Sequence, residues 1–202
     1  MKTQIRYKRM AFIPIILGCL MLIVSSTNAE ILNDSKDSST IAYGQTIEGE
    51  ISVAGEKDTL TFTADAGDVV LIRMSDQDPD ILDPHIELFD PDGNRIADDY
   101  STYYQADILD QALPSNGEYT IIASDWGSNE AGIYGLSMQC VNQVGGSQSI
   151  SYGYTGIDSI VALSQMDAYR FTAEAGDVVL IRMSDGSDVG IDPQLELFGP
   201  DG

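Results

Sequence analysis

The chain has 202 residues, of which 32 are acidic and ten basic, for a formal net charge of −22. A field of that sign repels nucleic acid and anionic membrane surfaces, which sets aside both partner classes. One histidine and two cysteines are too few for a zinc site of the usual His/Cys type or for a disulfide framework.

The chain opens on a targeting segment. Lys2, Arg6, Lys8 and Arg9 make a positive start, Ala11 to Val24 is apolar, and Thr27-Asn28-Ala29 offers small residues for cleavage. The apolar run spans 14 residues. A transmembrane helix needs roughly 20, so residues 1–29 read as a signal peptide, and the mature form is expected to have no stable membrane span. Gly18-Cys19 imitates a lipoprotein site, yet Leu20 to Val24 stay apolar where a lipoprotein turns polar. Removing the leader leaves six basic against 32 acidic side chains, a formal charge of −26. Such a charge keeps an exported protein soluble; it also fits a cation-binding chain or one adapted to high salt. Cys140, the one mature cysteine, is expected as a buried, inert thiol.

Residues 30–40 are a polar lead-in, 41–141 a first module, 142–149 a Gly/Ser/Gln linker, and 150–202 the front half of a second module. Within the first module the signal is period two. Leu60 and Phe62 alternate with threonines, Val69–Met74 and Ile86–Phe89 are short β-rich runs, and Glu118–Ser124 alternates. Gly132–Cys140 puts Tyr134, Leu136, Met138 and Cys140 on one face. Ala66-Gly67-Asp68, Asp90-Pro91-Asp92-Gly93-Asn94 and Pro114-Ser115-Asn116-Gly117 are turn sequences. No stretch carries a useful helical period. These patterns predict an all-β antiparallel β-sandwich.

The boundaries come from a repeat. Residues 62–76 (FTADAGDVVLIRMSD) match residues 171–185 (FTAEAGDVVLIRMSD) in 14 of 15 positions at an offset of 109, and LDPHIELFDPDG at 82–93 matches IDPQLELFGPDG at 191–202. The period exceeds the roughly 20–50 residues of solenoid units, so each copy is expected to have its own core.

The run from Asp80 to Asn94 (DILDPHIELFDPDGN), the acids Asp98-Asp99, Leu113-Pro114 with Gly117-x-Tyr119-Thr120-Ile121, the FTADAGD segment, and GQTIEGEI at 44–51 appear in order. Together they resemble the bacterial and archaeal pre-peptidase C-terminal (PPC) domain family. The resemblance implies a jelly-roll-like sandwich, one complete copy plus half of another, exported and usually appended to a secreted peptidase. It also brings in calcium and extracellular polymers, since related modules in bacterial collagenases use the one and bind the other.

The inventory argues against catalysis. His85 aligns with Gln194 in the second copy, and a base required for chemistry would not be so replaceable; it reads as a surface side chain on an edge strand. The glycine-bearing turns lack the Lys and Ser/Thr of a phosphate loop. Calcium, which takes six to eight oxygen ligands, is the candidate ion. Asp76, Asp78, Asp80 and Asp83 fall between two predicted strands, Asp98 and Asp99 follow the next turn, and Asp125 follows a later strand. Ile81 stands where an EF-hand needs glycine, which excludes that motif. Asp76 and Asp83 recur as Asp185 and Asp192, whereas Asp78 and Asp80 do not recur. A solvated acidic surface would give the same composition. Tyr100, Tyr103 and Tyr104 in a predicted loop (DDYSTYYQAD), with Trp126 in another, are the candidate binding residues.

The expected function is a non-catalytic extracellular binding or spacer module of a secreted or cell-surface repeat protein, with calcium as the candidate stabilising ion. Its partners would be an extracellular polymer, a protein surface or other domains of the same longer chain. The alternative is an accessory region of a secreted hydrolase, a peptidase, whose catalytic domain lies beyond residue 202.

Overall fold

The computed structural model describes residues 39–78, 81–143, 146–186 and 190–202. The signal-peptide reading, residues 30–38 of the lead-in, Asp80 and part of the linker lie outside the described residues. Among the described residues no helix is long and apolar enough to cross a membrane.

Nine strands occupy residues 39–140: β1 (Ser39–Thr40), β2 (Gln45–Ile51), β3 (Lys57–Ala64), β4 (Val69–Asp76), β5 (Pro84–Phe89), β6 (Arg95–Tyr100), β7 (Gln105–Ala112), β8 (Gly117–Asp125) and β9 (Gly132–Cys140). They form two sheets, in the orders β1-β3-β8-β5-β6 and β2-β9-β4-β7. Every pairing within them is antiparallel except the short contact of β1 with β3. The protein is an antiparallel β-sandwich.

Alternation decides which face is inside. Leu60, Phe62 and Ala64 of β3 are buried while Thr59 and Thr63 are exposed. Opposite them in register, Ile121 and Tyr119 of β8 are fully buried. In the second sheet Leu136, Met138 and Cys140 of β9 stand in register with Met74, Ile72 and Val70 of β4, all of them buried. Burial of these side chains stabilises by about 1.5–3 kcal/mol each relative to exposure. The turns are made by carboxylates as much as by glycine. Asp90 accepts from the N–H groups of Asp92 (3.0 Å) and Asn94 (2.8 Å), closing the β5–β6 turn. Tyr119 closes the β7–β8 connection, its hydroxyl donating to the Ser115 carbonyl at 2.7 Å and accepting from the Ser115 N–H at 3.1 Å.

Two expectations are corrected. The segment DDYSTYYQAD is mostly strand: Asp98, Asp99 and Tyr100 belong to β6, and Gln105, Ala106 and Asp107 to β7. Both are outermost strands, so one side of each lacks a strand partner and few apolar residues mark them in sequence. His85 is not on an edge. It sits on β5, between β6 and β8, and is only 7% exposed because rings from neighbouring segments fold over it. Cys140 is buried, with its thiol directed to Asn142 Oδ1 at 3.3 Å; burial pushes that thiol up from its ordinary value.

Beyond the sandwich, β10 (Ser147–Ser149) pairs in parallel with β11 (Ala168–Arg170). Among the described residues these are the only strands after Cys140. Ser164 Oγ donates to the Gly135 carbonyl at 2.7 Å and Gln139 donates to the Met166 carbonyl at 2.7 Å, so residues 164–166 lie on the outer face of β9.

Candidate functional site

The register brings three connections to one end of the sandwich. The β4–β5 loop leaves from Asp76, beside Tyr134 at the start of β9, and the β8–β9 loop leaves from Asp125, beside Pro84 at the start of β5. The β6–β7 loop follows Tyr100, beside His85. Backbone bonds tie the three together: Asp76 N–H to the Tyr104 carbonyl (2.9 Å), Trp126 N–H to the Asp83 carbonyl (2.8 Å) and Ser101 N–H to the Pro84 carbonyl (2.9 Å).

Two buried carboxylates shape these loops. Asp76 is 3% exposed; its Oδ1 accepts from Asp78 N–H (3.0 Å) and its Oδ2 from Ile81 and Leu82 N–H (3.1 Å each). Asp125 is 2% exposed; its Oδ1 accepts from Asp83 N–H (3.0 Å) and its Oδ2 from Asn129 (2.9 Å) and Glu130 N–H (3.3 Å). A buried carboxylate is tolerated when backbone donors surround it; here those donors fold each loop back on itself, and the Asp83 N–H also ties the β4–β5 loop to Asp125.

Asp83, Asp125 and Glu130 each present a ligand oxygen within 4.8 Å of the others. Crowding has an electrostatic consequence. Burial first, and then the charges of Asp125 and Asp76, hold the Asp83 carboxyl above its ordinary range. Burial, followed by Asp125 and Asp83, does the same for Glu130. All donors in the group are hard oxygens, which suits calcium or magnesium rather than a thiolate- or imidazole-seeking metal.

Of the acids singled out by sequence, Asp83 and Asp125 are therefore in this group, and Asp76 stands behind it as a loop organiser. Asp78 is exposed in the β4–β5 loop, and Asp80 is outside the described residues. Asp98 lies on β6 near Arg95 (3.8 Å) and Asp99 accepts from the Asp107 N–H (2.7 Å); neither is in the ligand-distance group. Glu130 was missed. It is five residues beyond Asp125 in a Gly/Ser/Asn loop, and no regular spacing announces that the chain doubles back there.

The aromatic residues divide into two pairs. Tyr100 and Trp126 stack with centroids 3.8 Å apart and planes 7° from parallel, and they are 47% and 45% exposed. His85 stands edge-on beneath them, 4.9 Å from Trp126 and 6.5 Å from Tyr100. Its Nδ1 is 3.1 Å from Ser124 Oγ, while its Nε2 is buried with no hydrogen-bond partner. Burial lowers the His85 pKa below 6.5, with Glu87 partly opposing, so the ring is neutral at neutral pH. Tyr103 and Tyr104 form a looser exposed pair at 6.4 Å.

No family model and no curated protein matches this chain. Among solved structures it is similar to the pre-peptidase C-terminal domain of a collagenase from Bacillus anthracis, at 19% identity and a TM-score of 0.42, covering 54% of this chain and 100% of that one. It is also similar to PliG, a periplasmic inhibitor of g-type lysozyme. The Aeromonas hydrophila protein is 15% identical with a TM-score of 0.39, covering 50% of this chain and 96% of that one. The Salmonella Typhimurium protein is 18% identical with a TM-score of 0.35 and the same coverages, 50% and 96%.

Proposed function

We propose that residues 41–141 act as a non-catalytic extracellular module, PPC-like in kind, that binds or spaces within a secreted or surface-displayed chain. Its loop end carries the function. Asp83, Asp125 and Glu130 would hold a calcium ion, with carbonyls and water completing the shell, and the ion would lock the β4–β5 and β8–β9 loops together. The Tyr100–Trp126 stack beside them, with Tyr103 and Tyr104, would meet an extracellular polymer, a protein surface or a neighbouring domain. Flat half-exposed rings contribute contact area at small entropic cost.

The observation that supports this reading is the meeting of carboxylates from two separate loops within 4.8 Å, next to rings fixed by the same loops. Like charges so placed oppose one another, and a divalent ion converts that repulsion into attraction. The test is thermal melting with millimolar calcium and then with chelator. Because an ion that binds the native state raises its stability, calcium should move the midpoint upward. Coincident melts would overturn the ion site.

A further inference from the structure

The outer face of the second sheet is buried where a sandwich meets water. On β4 and β9 the side chains turned away from the core are Leu71, Arg73 and Ser75, in register with Gln139, Ser137 and Gly135. Leu71 is buried without belonging to the core cluster, and Gly135 and Gln139 are buried as well. None of these six is acidic, in a chain with 32 acids. Buried polar groups and an uncharged face on so acidic a molecule mark a contact surface.

What meets β9 there is a turn that the chain makes twice. Between β2 and β3, the Ser52 and Val53 N–H groups donate to Glu56 Oε2 at 2.6 and 3.1 Å, the Glu56 N–H donates to the Val53 carbonyl at 3.0 Å, and Gly55 has a φ of 83°. Residues 161–165, at the repeat offset of 109, reproduce this bond for bond. The Val161 and Ala162 N–H groups donate to Gln165 Oε1 at 2.8 and 3.3 Å, the Gln165 N–H donates to the Ala162 carbonyl at 3.2 Å, and Ser164 has a φ of 67°. The turn therefore has the geometry of its first-copy counterpart.

Its composition differs in one direction. SVAGEK at 52–57 carries two charges, and its Gly55 is exposed. VALSQM at 161–166 carries none, with Leu163 for Ala54, Gln165 for Glu56 and Met166 for Lys57. Most telling is Ser164, which stands where the first copy has glycine. Left-handed backbone is strained for a residue with a Cβ, and such strain persists where the side chain has a task. The task lies outside the turn: Ser164 Oγ donates to the Gly135 carbonyl at 2.7 Å, in a contact that leaves the serine 8% exposed. Gly135 makes room for it. A Cβ there would stand 2.6 Å from the Leu163 carbonyl oxygen and 3.0 Å from Ser164 Oγ. Gln139 completes the contact by donating to the Met166 carbonyl at 2.7 Å.

We propose that the outer face of β9 is a seat for the β2–β3-type turn of the following copy, occupied by residues 161–166. Successive copies then stand at a fixed angle, where the 142–149 linker alone would let them swing. The inference rests on the reading of the chain as a spacer and gives that spacer its stiffness. It is independent of the calcium site, since neither Gly135 nor Ser164 is among Asp83, Asp125 and Glu130.

Pulsed electron–electron resonance on the whole chain tests this. Nitroxides go on Thr63→Cys in β3 and Arg170→Cys in β11, both exposed; Cys19→Ser and the burial of Cys140 leave no other thiol to label. The unaltered seat should give one narrow distance, unchanged when the labelled chain is diluted with unlabelled chain. Ser164→Gly, which relieves the strained backbone but removes the hydroxyl, should lose the narrow peak, and so should Gly135→Ala. The Trp126-monitored melt should stay in place in both, because the methyl added at 135 meets only the second copy and the flexible end of Gln77. A narrow peak surviving in either variant overturns the seat, as does a broad distribution in the unaltered chain. A peak that disappears on dilution assigns the turn to another molecule and overturns it too. The calcium-dependent rise in melting should persist in both variants; its absence beside a responding distance would remove the ion site and leave the seat standing.

Discussion

His85 shows how much a single side chain depends on what closes over it. Its ring lies under Trp126 and Tyr100 with Nε2 unpartnered, and burial holds its pKa below 6.5. The unfolded chain therefore binds a proton before the folded one does. Stability is complete above 6.5 and is lost as the pH falls toward the lowered value. His85→Gln, the residue of the second copy, should flatten this fall below pH 6.5, measured as the difference between the two chemical-denaturation curves. A variant that keeps the wild-type slope would assign the titration elsewhere. Asp83 has the opposite sign. Its carboxyl is held above 3.8, so the folded state favours the proton, and stability declines as the pH rises from the ordinary value through the raised one. In chelator at neutral pH, Asp83→Asn should melt higher than wild type. In millimolar calcium it should lose the ion-dependent gain, reversing the order, as differential scanning calorimetry would record.

At the scale of elements, the strands differ in how plainly they are written. β9 could be read residue for residue, because a strand between two others with one face inward must alternate. β8 and β3 were legible for the same reason. β6 and β7 were not: each is the outermost strand of its sheet, and the acids Asp98, Asp99 and Asp107 are met by Arg95, the Asp107 N–H and Arg73, not by solvent alone. Composition cannot distinguish such a strand from a polar loop. The β2–β9 pair carries a specific steric condition. Gly49 faces Tyr134 in register, and a Cβ at position 49 would overlap the tyrosine ring. Tyr134 is fully buried and its hydroxyl donates to Asp58 Oδ2 at 2.6 Å. Gly49→Ala should displace the ring, break that bond and cost about 2–3 kcal/mol in denaturant titrations. Gly49→Ala combined with Tyr134→Phe should recover only part of the loss, since the added Cβ would overlap ring carbons as well as the hydroxyl.

For the whole molecule the governing quantity is charge. A chain of formal charge −22 opposes its own compaction. Sodium chloride raised from about 0.01 M to about 1 M shortens the screening length from about 30 Å to about 3 Å. With chelator present throughout, the melting midpoint should rise across that range; a flat response would show that the acids are far enough apart not to matter. Calcium should act at far lower concentration and only through the loop end, so the two responses separate long-range screening from a site.

The order of hydrophobic and polar residues was enough to determine the inner strands β3, β4, β5, β8 and β9, the turns, the sandwich class and the recurrence at 109 residues, because period two and turn chemistry are local properties of a chain. Tertiary structure alone decided that Glu130 joins Asp83 and Asp125, that Tyr100 stacks on Trp126 rather than on its neighbours Tyr103 and Tyr104, and that His85 is inside. Each depends on which strands lie side by side. That pairing, between segments tens of residues apart, is fixed by the packing of the two sheets and leaves no mark in any short stretch of sequence.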